Sequence, residues 1–94
     1  MVGRRVLSEI RKRCNNIASK LEKELGIYNA KFDLKLLGDT YWMKFKVEGL
    51  SGKVTYETPV FKEYDELPKW APEDYEGFCT KVLKKMAELA TEEY

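Results

Sequence analysis

Apolar positions along this chain recur first with a helical period, then with a strand period, then with a helical period again. Val6, Leu7, Ile10, Cys14, Ile17, Ala18, Leu21 and Leu25 stand three and four apart, which predicts an amphipathic helix over about 6–25. Gly26 follows as its stop. A start at residue 6 leaves residues 1–5 as a short basic arm; Ser8 is a candidate N-cap, in which case the arm is residues 1–7.

Three alternating segments come next. In the first, about 29–37, Ala30, Phe32, Leu34 and Leu36 alternate with Lys31, Asp33 and Lys35. In the second, about 40–48, Tyr41, Met43, Phe45 and Val47 alternate with Trp42, Lys44, Lys46 and Glu48. Gly38-Asp39 between them is a two-residue hairpin signal. That turn sets 36 against 41, 34 against 43, 32 against 45 and 30 against 47, so apolar meets apolar throughout; a slip of one residue would destroy the match. The stretch GLSG at 49–52 closes a second hairpin with a strand over about 53–61. This pairing sets Val47 against Val54, Phe45 against Tyr56, Met43 against Thr58 and Tyr41 against Val60. Pro59 requires that the third strand lie at an edge.

Residues 62–71 form a charged, aromatic connection. Pro72 suits the first position of a helix, with Glu73 and Asp74 in its first turn. Tyr75, Phe78, Cys79, Val82, Met86, Leu89 and Ala90 then give a second stripe, up to about residue 92. The expected fold is α+β in two layers: helix, strand, strand, strand, helix, a three-stranded antiparallel meander with both helices on one face. Ninety-four residues are read as a single domain that buries roughly 60 to 70% of its unfolded surface.

Composition adds a setting. The first 25 residues hold no long apolar run, and no segment reaches the ~20 apolar residues that cross a bilayer, so a cytoplasmic protein without a membrane partner is expected. There is no His and no Gln, and 35% of residues are charged. This depletion of thermolabile amides points to a hyperthermophilic host, archaeal, or to a virus or plasmid of one. The net charge of +1 conceals a split: residues 1–56 carry twelve Lys/Arg against six Asp/Glu, and residues 57–94 carry five against ten. A fold that kept these halves apart would have a basic side and an acidic side.

The residue types weigh against catalysis. Without His there is no Ser-His or Cys-His nucleophile, and no glycine-rich phosphate loop occurs. Cys14 and Cys79 fall short of the three or four ligands of a zinc site; they read as buried small hydrophobes or as a disulfide pair. Neither a cofactor nor a metal is expected.

Binding is the expected task. On the open sheet face the register places Lys44 between Asp33 and Glu57, Lys53 opposite Glu48, Lys31 opposite Lys46, and Lys35 opposite Trp42. Trp42, Pro59 and Phe61 then share one aromatic patch, which the connection carrying Tyr64 and Trp70 would either cover or extend. The first reading is a nucleic-acid-binding accessory protein using Arg4, Arg5, Arg11, Lys12, Arg13, Lys31, Lys35, Lys46 and Trp42 for phosphate contact and base stacking. The alternative is a protein-binding inhibitor or adaptor using Trp42, Pro59, Phe61, Tyr64 and Trp70. A homodimer through the open face or an edge strand fits either. Double-stranded RNA-binding domains share this order of elements, but they open the last helix with a basic cluster where this chain reads PEDYEGF.

Overall fold

A computed structural model describes residues 4–63 and 71–91. The elements follow the expected order: α1 (Arg4–Glu24), β1 (Asn29–Leu37), β2 (Thr40–Gly49), β3 (Gly52–Lys62) and α2 (Pro72–Thr91). The strands form one antiparallel sheet in the order β1-β2-β3. Both helices lie on the same face of it, α1 over β1 and α2 over β2 and β3, packed against each other.

The helix starts earlier than Ser8 suggests. Leu7 is buried and Val6 packs on the core, so the turn before Ser8 has side chains to anchor it, and Arg4 and Arg5 are helical rather than part of an arm. Gly26, with φ 63°, takes the left-handed conformation that ends the segment. Gly38, with φ 65°, does the same work in the first hairpin.

Pairing of β1 with β2 follows the sequence pattern along its whole length: Phe32 faces Phe45, Leu34 faces Met43, and Lys31 faces Lys46. Pairing of β2 with β3 follows it only as far as Trp42 and Pro59. A bulge at Tyr41/Trp42 then sets Tyr41 against Phe61, with Val60 as the additional residue. The extra residue changes the parity of everything after it. Phe61, expected beside Trp42 on the open face, turns into the core, where it is 5% exposed. Its ring lies 5.1 Å from that of Tyr41 and 5.9 Å from that of Tyr75. Burying a ring of this size is worth about 2 kcal/mol, which offsets the local break in the ladder.

The sheet's apolar face, led by Phe32, Leu34, Met43, Phe45 and Val47, meets Leu7, Ile10, Cys14 and Leu21 of α1 and Tyr75, Cys79, Leu83 and Met86 of α2. The buried stripe of α2 is turned from the expected one. Leu83 and Ala87 are buried against the rest of the core, while Phe78 and Val82 are only partly covered and Leu89 is 46% exposed. At the end of α2 the Ser51 amide donates to the Ala90 carbonyl at 2.7 Å, so the second hairpin turn satisfies one of the helix's orphan acceptors.

The two sheet edges differ. On β1, Arg11 donates from Nη2 to the Leu34 carbonyl at 2.9 Å, and the Ala30 amide donates to Glu22 Oε2 at 3.1 Å. Side chains of α1 thus occupy backbone groups that would otherwise invite another strand. From Lys53 to Phe61, no helix side chain among the described residues bonds the backbone of β3, the opposite edge.

Candidate nucleic-acid interface

The outer face of α1 is built by exclusion. Its apolar stripe is consumed by the core, and what remains exposed is Arg4, Arg5, Arg11, Lys12, Lys20 and Lys23, with Ser8, Asn15, Asn16 and Ser19 between them. Of the acids on this helix, Glu9 is bonded to Arg13, Glu22 to the Ala30 amide, and Glu24 lies 3.9 Å from Lys20. Arg4 to Lys23 spans roughly 30 Å at the helical rise. The first turn carries no acid, so the positive end of the helix dipole adds to the arginines instead of being neutralised.

Arg13 does not belong to that face. It bonds Glu9 at 2.8 Å and reaches Glu76 at 3.2 Å and Glu73 at 3.5 Å, an ion network that ties α1 to the first turns of α2. Bonds to Glu9 and then Glu76 push its already high pKa further up. With three carboxylates around it, Arg13 is engaged within the fold and stands apart from the exposed cations of α1 expected beside it at phosphate. This network also brings basic and acidic halves of the chain together, and Lys44 with Glu57 at 3.5 Å does so again. The charge split therefore survives on the surface of α1 but not through the molecule.

The lysines of the open sheet face lie across the sheet from α1, so the residues expected to act together form two separate surfaces. Lys31, Asp33, Lys44, Lys46, Thr55 and Glu57 line a shallow depression of about 350 Å³. Most of its charge is internally matched. Lys44 pairs with Glu57, as the register predicts; Asp33 turns to Lys35 on its own strand at 3.6 Å, and Lys46 turns to Glu48 at 3.3 Å. Because Glu48 is taken by Lys46, Lys53 opposite it is left without the expected partner; Lys31 and Lys53 have no carboxylate within ion-pair reach among the described residues and are the cations of this face left for a ligand. Trp42 is half-buried between Lys35 and Pro59. Without Phe61 the aromatic patch reduces to Trp42 and Pro59, while Tyr64 and Trp70 fall outside the described residues.

A third surface was not anticipated. Val54 and Tyr56 of β3 and Phe78, Val82, Met86 and Leu89 of α2 line an apolar groove of about 430 Å³, with Lys81 and Lys85 on its rim. The signal was present in the width of the α2 pattern: apolar residues at 75, 78, 79, 82, 83, 86, 89 and 90 cover more of the helix than a single packing stripe needs.

Among the described residues no cluster of three or more His, Cys, Asp or Glu offers a metal site, and no helix is long and apolar enough to cross a membrane. The start of α2 presents Glu73 and Asp74, so phosphate contact at that helix end is disfavoured. Set against known protein families, curated proteins and solved structures, the chain matches none.

Proposed function

We propose that this protein is a non-catalytic nucleic-acid-binding module that lays the outer face of α1 against phosphates. The observation that carries this reading is the run of six exposed cations from Arg4 to Lys23, interleaved with hydroxyl and amide side chains, while the acids before Glu24 are engaged, Glu9 with Arg13 and Glu22 with the Ala30 amide. Cations supply sequence-independent attraction, and the Ser and Asn side chains supply short hydrogen bonds to phosphate oxygens. An outer face without aromatic side chains favours backbone contact over base stacking. Composition supports a cytoplasmic setting in a hyperthermophilic host or its virus.

Fluorescence anisotropy with single- and double-stranded DNA and RNA at two salt concentrations tests the proposal. If about four phosphates are neutralised, duplex DNA affinity falls about a hundredfold between 50 and 200 mM salt. Replacing Arg4, Arg5 and Lys12 by Glu abolishes binding while leaving the thermal melt in place, since all three are exposed and none bridges a carboxylate among the described residues. Absence of binding to all four nucleic acids at low salt rejects the reading.

A second reading, a protein contact, is favoured by the groove beside β3. An edge strand next to an apolar groove suits addition of an extended strand, whose backbone pairs with the edge while a side chain fills the groove. A second copy of the chain is the simplest such partner. Sedimentation equilibrium then reports a dimer that Leu89→Glu returns to monomer; a monomer at millimolar concentration removes self-association from this reading.

A further inference from the structure

Cys14 and Cys79 take part in none of the three surfaces. They face each other from α1 and α2, each fully shielded at 0% exposure, with their sulfurs 2.7 Å apart. As two thiols they would form a chain of weak hydrogen bonds, Cys79 donating to Cys14 and Cys14 donating to the Tyr75 carbonyl at 3.8 Å. A contact of 2.7 Å is short for so weak a donor and acceptor. The helices are also held in register here independently of the sulfurs, because Arg13, the residue before Cys14, grips Glu73 and Glu76 on α2. Two sulfurs alone make no metal site. The Cys14 contact, and then burial, hold the Cys79 thiol well above its ordinary range, and both sulfurs are shielded from dissolved reagents in the closed protein.

We propose that this pair is the site of an interhelical disulfide, formed during folding by exchange with a small-molecule disulfide and then sealed from solvent by the packed helices. In the partly folded chain the Cys14 thiolate attacks one sulfur of the small disulfide and expels the other as a thiolate. The Cys79 thiolate then attacks Cys14 in the mixed disulfide and expels the second. The chain loses two protons and two electrons, and the small disulfide leaves as two thiols. Burial that blocks reaction of the thiols in the folded state also protects the finished bond from reductants.

The test unfolds the protein in guanidinium and refolds it in a mixture of oxidised and reduced glutathione. The product is denatured, alkylated and weighed by mass spectrometry. The expected product accepts no alkyl group, weighs two hydrogens less than the reduced chain, resists dithiothreitol while folded, and yields both thiols to it in denaturant. Its melting midpoint lies about 10 °C or more above that of the reduced chain. Native protein held in the same mixture near its melting midpoint, where opening is frequent, gives the same product. Two alkylated cysteines, a persistent glutathione adduct, or an unchanged midpoint each overturn the proposal.

Discussion

Gly77 lies within α2 with nothing inside 4 Å of the position its Cβ would take, whereas a Cβ on Gly49 would stand 2.8 Å from the Ala90 carbonyl oxygen. The first site bears only the entropic cost of glycine in a helix, so Gly77→Ala raises stability by about 0.5–1 kcal/mol. The second admits no side chain because the obstacle is backbone, and Gly49→Ala lowers stability by about 1–3 kcal/mol. Denaturant titrations of the two variants check both signs. Asp39, in the turn between β1 and β2, accepts a bond from Thr40 and pairs with Lys62 at 3.4 Å. These partners, Thr40 first, hold its carboxyl below the usual range. A depressed folded value means that its contribution is complete above the unfolded value of about 3.9 and fades as pH falls through the folded one. An NMR titration places the Asp39 carboxyl below that of an unfolded aspartate, and Thr40→Val raises it. At this scale the sequence foretold partners through alternation alone: Lys44 with Glu57 was legible because both positions are fixed by register, whereas the Arg13 network was not, because it joins residues about 60 apart that only tertiary packing brings together.

At the scale of elements, periodicity told more about which residues form a helix or strand than about which way an element is turned. The β1–β2 hairpin was readable in full because a two-residue turn and a parity rule leave one solution. The far end of β3 was not, since a single bulge residue at Val60 reverses the parity and no local signal announces where the ladder yields to the pull of Phe61 toward Tyr75. Likewise α2 carries more apolar surface than its contact with the core uses, and its rotation toward α1 leaves the surplus facing β3. The outer face of α1 was only partly legible. Its cations are plain in the sequence, but the withdrawal of Arg13 and the separation from the lysine face follow from packing. The edge bonds give this scale its prediction. Replacing Arg11 by Met and Glu22 by Ala together releases the Leu34 carbonyl and the Ala30 amide, and dynamic light scattering then finds larger assemblies than the parent forms at the same concentration.

For the molecule as a whole, the cysteine pair ties the two helices across positions 65 apart in sequence. On the chain-entropy account, closing a loop of that length stabilises the fold by about 4 kcal/mol, a large share of what a domain this size commands. A calorimetric comparison of oxidised and reduced protein measures it, and equal midpoints would show that the sulfurs contribute packing alone. The unequal sheet edges carry a consequence for how the molecule can multiply. Two copies joined β3 to β3 would present only their β1 sides outward, and on each of those an arginine and a glutamate from α1 already hold two backbone groups. Strand pairing past two copies would have to displace these side chains first, a cost that disfavours growth into a ribbon.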